Sequence, residues 1–186
     1  PYEWQPALPA AVTAKVQLWE KFLNGDTLKE QLFARYAYEH LFLAHLYFGD
    51  GISNDKQRNY FKLVRSTTPP GQAISIIPTA RPVDDPKTSR VYYRLSEERE
   101  AIVAKTHMPY RLDAKRMARW RQLFFSTPYQ VDRLPGYTEE TAANPFATFA
   151  QLPVGARYRF MLDEAEFTIM GFIKGPVCRG QVALNV

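Results

Sequence analysis

This chain of 186 residues has a single cysteine, Cys178, and three histidines. One cysteine excludes an internal disulfide and any multi-cysteine metal site. Two of the histidines, His40 and His45, sit five residues apart. On a helix that spacing turns them about 140° from one another, whereas one metal wants the i,i+4 arrangement of His-Glu-x-x-His. The run here is Glu-His-Leu-Phe-Leu-Ala-His, which misses that motif. No Gly-rich phosphate loop, Gly-x-Ser-x-Gly nucleophile elbow or RNA-binding aromatic signature occurs either. No apolar run reaches the ~18 residues that a membrane-spanning helix needs. No signal-peptide pattern opens the chain. It begins at Pro1 and stops at Val186 within an apolar run, so it reads as an excised or processed segment.

Aromatic residues are abundant by contrast, at 14%. That density suits a thick core, a ring-shaped cofactor or a lipid pocket. The net charge of +5 favours anionic partners: phospholipid headgroups, phosphates or nucleic acid.

The order of elements reads as helices, a short strand-rich section, then helices again. The fold class is therefore α+β, helix-dominant, with a small antiparallel strand section in the middle. The chain reads as a single domain or a fragment of a larger protein: helical over 11–66, strand-rich over 72–110, helical over 113–175, and truncated over 176–186. Within the first part, Ala11 to Leu23 has helical apolar spacing. Thr27 can cap a second helix, with Glu30 completing a capping box. That helix is expected to run from Leu28 to Tyr47, with Arg35 and Glu39 paired at i,i+4. Gln57 to Val64 reads as a short helix or strand with Arg58, Lys62 and Arg65 making one side basic. Gln72–Ile77, Arg90–Leu95 and Ala101–Tyr110 read as strands, the last two close enough to form a hairpin. Asp113 caps a helix to Phe125 that carries Lys115, Arg116, Arg119 and Arg121. Its simplest reading is a solvated basic face, and such a face can also meet anionic lipid. A last helix is expected from Val154 to about Lys174.

Four groups carry candidate chemistry. Tyr36, His40, Leu43 and Tyr47 would form one helical stripe, either plain core or the wall of a haem or acyl-chain slot with His40 as ligand or proton donor. Leu41 and His45 share another face, and Glu39 is the partner of Arg35. His107 and Met108 can each ligate haem iron, or be a solvent-side histidine and a core methionine. Around the Gly175-Pro176 turn, Lys174 and Arg179 flank Cys178. Those cations would either lower the thiol pKa or hold a phosphate, and the alternative is a structural turn with an inert cysteine.

Several blocks together resemble the bacterial fatty acid cis/trans isomerases. They are Tyr38-Glu-His-Leu-Phe-Leu-Ala-His-Leu-Tyr-Phe48, Arg65-Ser-Thr-Thr-Pro-Pro-Gly71, Asp84-Asp-Pro86 and Arg90-Val-Tyr-Tyr-Arg-Leu95. They continue through Lys105-Thr-His-Met-Pro-Tyr110, Ala143-Asn-Pro-Phe146, Arg157-Tyr-Arg-Phe-Met-Leu-Asp-Glu-Ala165 and Phe172-Ile-Lys-Gly-Pro-Val-Cys-Arg-Gly-Gln181. The resemblance covers nearly the whole chain, with the blocks in the family's order; the loop Thr79-Ala-Arg-Pro-Val-Asp-Asp departs from it. It implies a periplasmic protein of a Gram-negative bacterium that turns cis double bonds of membrane phospholipid acyl chains into trans ones, with a c-type haem. The Cys-x-x-Cys-His attachment motif of such haems is not in this sequence, so the segment is expected to be inactive by itself and to depend on the remainder of a parent polypeptide. On this reading the catalytic candidates are His40, Glu39, Cys178 and Arg179. The cofactor-binding candidates are His40, His45, His107, Met108 and Tyr36, with His107 and Met108 as iron ligands. Lys174 and Arg179 would meet the substrate headgroup. The expected partners are phospholipid acyl chains and the membrane surface, not nucleic acid. The other reading is a non-catalytic basic module that binds anionic lipid surfaces or nucleic acid.

Overall fold

A computed structural model describes residues 7–49, 59–98 and 108–173. Its first helix, α1 (Ala10–Leu23), buries Val12, Trp19 and Leu23, which recur at helical spacing. Helix α2 (Leu28–Leu41) begins at the expected capping box: the Thr27 side chain accepts from the Glu30 amide, and the Glu30 carboxylate accepts from the Thr27 amide at 3.0 Å.

Helix α2 stops at Leu41 and does not continue to Tyr47. After a turn at Phe42 and Leu43 the chain becomes strand β1 (Ala44–Phe48). The apolar run is compatible with either period, and pairing decides the outcome. β1 lies inside a four-stranded sheet of order β3-β2-β1-β4, formed with β2 (Tyr60–Ser66), β3 (Tyr92–Glu98) and β4 (Met108–Leu112). Both edges of β1 are hydrogen-bonded, and Ala44, Leu46 and Phe48 alternate into the core. The expected stripe therefore breaks after His40. Leu43 is 70% exposed and Tyr47 belongs to the sheet.

The middle section is a mixed sheet, not a purely antiparallel one. β1 and β4 run parallel, with Leu46 opposite Tyr110, while β2 is antiparallel to both β1 and β3. The expected hairpin between 90–95 and 101–110 is thus replaced: β3 pairs with β2 and β4 with β1. β1 and β2 both fall within the stretch 11–66 that reads as helical from sequence. The strand expected over Gln72–Ile77 is reduced to one bridge, Ser66 to Ile76. The loop holding it is pinned by Arg94, whose guanidinium donates to the carbonyls of Thr68, Pro69 and Gln72.

Arg65 and Lys62 do not make a basic side on β2. Arg65 is buried, donating to the Asp84 carbonyl at 2.8 Å and the Thr79 hydroxyl at 2.5 Å, and Lys62 pairs with Glu98 at 3.1 Å. Arg58 lies outside the described residues. At the β3 edge of the sheet the buried Glu20 of α1 accepts from the Leu95 amide and pairs with Arg94 at 2.9 Å. Asn24 exchanges two hydrogen bonds with the backbone of Tyr93. Glu20 of α1 and Asn24 just after it thus pair part of the edge strand β3 that would otherwise be open.

Helix α3 (Ala114–Phe125) starts where expected, with Asp113 accepting from the Arg116 amide. Two short helices, α4 (Glu139–Ala143) and α5 (Pro145–Thr148), punctuate the Pro-rich stretch, and α6 (Val154–Ile173) closes the described fold. Trp19, Phe22, Phe33, Trp120, Phe124 and Phe160 meet mostly edge-to-face or tilted, with Phe22 stacked on Trp120, joining α1, α2, α3 and α6 into one aromatic core. Further ring pairs, Tyr38 with Tyr93 and Phe48 with Phe61, lie at the sheet.

Candidate functional site

On the last turns of α2, Tyr36 and His40 pack against Phe160 of α6, while Arg35 and Glu39 face the 135–137 segment. Arg35 and Glu39 form the expected ion pair at 2.8 Å, and both are largely buried. The Arg35 guanidinium also donates to the Pro135 and Gly136 carbonyls and stacks 3.8 Å from the Tyr137 ring centroid. Burial raises the Glu39 pKa, while Arg35 and Arg65 oppose the rise. Glu39 therefore serves to hold the 135–137 segment against the helix.

His40 faces a different neighbourhood. Its Nδ1 lies 2.8 Å from the Tyr36 carbonyl, which can only accept, so Nδ1 carries the proton and Nε2 keeps its lone pair. Its ring centroid is 4.3 Å from that of Tyr36 and 5.2 Å from that of Phe160, while solvent reaches its open side. Crowding by these rings lowers the His40 pKa against the opposing pull of the Tyr36 carbonyl. One ring nitrogen is thus anchored, and the other keeps its lone pair. That is the arrangement in which histidines bind metals: a carbonyl fixes the tautomer, and the far nitrogen coordinates.

Tyr36 is buried and its pKa is pushed up to about 12 by desolvation, so it stays a neutral phenol. Its ring packs on Phe124, Phe149 and Phe160. The wall behind His40 is thus closed core, and the aromatic stripe encloses no slot of haem size among the described residues. The donor chemistry of His40 fits an iron ligand offered at a surface, not one lining an internal pocket.

His45 is committed elsewhere. On β1 it is buried, and its Nδ1 makes a very short contact with Glu98, which also holds Lys62. Met108 opens β4 opposite Ala44. His107, Lys174, Cys178 and Arg179 lie outside the described residues, so His107 and Met108 are not placed together as a ligand pair. Among the described residues no group of three or more His, Cys, Asp or Glu is arranged to hold a metal ion.

One cluster is not apparent from the sequence. Glu164 on α6, one turn beyond Phe160, accepts from the Tyr110 hydroxyl at 2.7 Å and from Arg116 at 2.9 Å. Arg116 also touches the Tyr110 hydroxyl closely, with its guanidinium over the Tyr110 ring. Burial pushes the Glu164 pKa up to about 7 against the attraction of Arg116, and its charge reaches Tyr36. Arg116 is accordingly buried and not part of a solvated basic face; Arg119 beside it pairs with Asp163 at 2.7 Å. A signal was present: Arg116 stands four residues before Trp120 and eight before Phe124, on the apolar side of α3.

Phe160 packs on the His40 ring, and one turn further along α6 Glu164 faces Tyr110 and Arg116, so the imidazole and this carboxyl group belong to two separate clusters. The model of the fatty acid cis/trans isomerase family matches residues 2–186. The chain belongs to that family. No curated protein and no solved structure matches it. In this isomerase fold the described parts of the blocks quoted above fall on the end of α2 and β1, the end of β2 and the loop after it, β3, β4, α4 and α5, and α6. No described helix is long and apolar enough to cross a membrane.

Proposed function

We propose that this isomerase acts on the cis double bonds of phospholipid acyl chains in the periplasm, with a c-type haem held within the parent polypeptide and His40 as a protein ligand to its iron. The family match over residues 2–186 carries the reaction class. The 2.8 Å contact of His40 Nδ1 with the Tyr36 carbonyl supports the ligand role, because it leaves Nε2 free to coordinate.

Rotation about C=C requires loss of π overlap, and a ferric haem when bound would withdraw electron density from the bond transiently. No atom is transferred and no net redox change occurs. Tyr36 fixes the imidazole tautomer through its carbonyl and shields the ring through its own. Desolvation lowers the His40 pKa, which favours the form in which Nε2 keeps its lone pair. Lys174 and Arg179 would meet the headgroup phosphate, as charge-assisted donors do. The segment alone is expected to show no turnover.

The test uses the intact parent protein, read by its haem absorption spectrum and by trans acyl chains formed in added cis-phospholipid. His40→Ala should shift the haem spectrum and abolish turnover, while His45→Gln should leave the spectrum unchanged. A His40→Ala protein with wild-type spectrum and turnover would overturn the ligand assignment. A wild-type protein that yields no trans chains would overturn the reaction.

A further inference from the structure

Helix α6 has two faces. Ala156, Arg157 and Phe160 are buried, and Glu164 one turn further on is held by Tyr110 and Arg116. On the opposite side Val154, Tyr158 and Leu162 recur every four residues and are 56%, 54% and 68% exposed. Ala165, one turn on, is open as well. Single apolar side chains are ordinary on a surface, but three large ones along one helical stripe make a face without a partner among the described residues.

The charge beside the stripe has both signs. Arg159 and Glu166 are exposed on one flank of it, about two helical turns apart, and neither makes an ion pair or hydrogen bond among the described residues. The other two carboxylates of α6 are engaged, Asp163 with Arg119 and Glu164 with Arg116. Lys115, one turn before Arg119 on α3, is exposed too. A flank of mixed sign does not select an anionic bilayer, which calls for an unbroken basic rim. It does fit a second copy of itself. In a two-fold pair each patch meets the same patch of the other subunit. Two α6 helices laid antiparallel about an axis next to Leu162 bring stripe onto stripe and keep the charged flanks on the same side of the pair. The reversal of direction then sets Arg159 of one copy opposite Glu166 of the other, twice per dimer. Parallel helices would put the two flanks on opposite sides and bring no such pair together. Charges placed beside an apolar seam in this way fix helix orientation and register.

We propose that α6 pairs antiparallel with α6 of a second copy of this chain, with Val154, Tyr158 and Leu162 forming the seam and Arg159–Glu166 pairs flanking it. Phe160, which packs on His40, lies on the buried side of the helix, so the seam and the imidazole are on different sides of α6. A seam along one helix is smaller than the roughly 20–30 residues a side of a standard interface, so the dimer is weak and its population follows protein concentration.

The test is sedimentation equilibrium of the intact protein over a range of concentrations, which should show a monomer–dimer equilibrium. Arg159→Glu alone and Glu166→Arg alone each set like charges together twice per dimer and should weaken it about tenfold. Arg159→Glu combined with Glu166→Arg exchanges the partners and should restore wild-type association. Leu162→Glu places two carboxylates beside the axis and should abolish the dimer. Thermal unfolding of each variant shows that the fold is retained. A wild-type protein that stays monomeric throughout would overturn the proposal. So would a dimer that tolerates Leu162→Glu, or a charge exchange that remains as weak as the single reversals. A monomeric wild type that binds phosphatidylcholine vesicles, with binding lost in Leu162→Glu, would assign the stripe to a bilayer in place of a second copy.

Discussion

At the scale of single residues the decisive event is which charges go inside. Glu20, Arg35, Arg65, Arg94 and Arg116 are all buried, and each is held by hydrogen bonds to backbone or by an opposite charge. A residue-type reading places arginines on a solvated face, because burial is uncommon for them. What brings them in is the supply of carbonyls from loops 67–89 and 133–137 and of carboxylates from α1 and α6, which local spacing does not reveal. Glu164 shows the energetic consequence. Its folded-state pKa of about 7 stands above the ordinary carboxylate value of 4.5. In that window the folded protein holds a proton that the unfolded chain has released, so stability falls as pH rises through it and levels off above about 7. Glu164→Gln should flatten this part of the profile, and the urea midpoints at about pH 5 and about pH 7.5 should converge relative to wild type. A profile as steep as wild type would show that another group titrates there.

At the scale of elements, signals that are local in sequence were legible and those that depend on pairing were not. The α2 start was readable because Thr27 and Glu30 satisfy one another's backbone amides without outside help. The same holds for α3, where Asp113 needs only the Arg116 amide. The α2 end was not readable: Leu41 to Phe48 is apolar under both periods, and only β2 and β4, far along the chain, decide for strand. The parallel β1–β4 pair was missed for the same reason. Histidine placement follows from this break. Had the helix continued, His40 and His45 would share one element; in the fold one closes α2 and the other is drawn into a buried pair with Glu98. The capping box can be tested directly. Thr27→Ala removes the acceptor of the Glu30 amide and should cost about 0.5–2 kcal/mol in a urea titration, with no change in the slope. A loss below that range would mean that solvent replaces the cap.

At the scale of the whole molecule, the site and the core share Phe160. Its ring is fully buried and lies 5.2 Å from both Tyr36 and His40, 5.6 Å from Trp120 and 5.8 Å from Phe124. The wall behind the presented His40 nitrogen is therefore the same aromatic cluster that joins α1, α2, α3 and α6, and α1 in turn grips β3 through Glu20 and Asn24. Helices and sheet have no separate cores to melt independently, so unfolding should be one cooperative event. Phe160→Ala opens a cavity at the centre of this arrangement and should cost about 3–5 kcal/mol. It should also loosen the imidazole, since one of the two rings that crowd it is gone, and raise the His40 pKa toward that of a solvated histidine. Chemical unfolding of wild type and variant, followed by tryptophan fluorescence for the aromatic core and by far-ultraviolet circular dichroism for the helices, should give coincident transitions in each, shifted together between them. Transitions that separate in the wild type would show that core and helices are not one unit. A His40 proton titration, followed by NMR, that does not move in Phe160→Ala would show that Tyr36 alone sets the imidazole's environment.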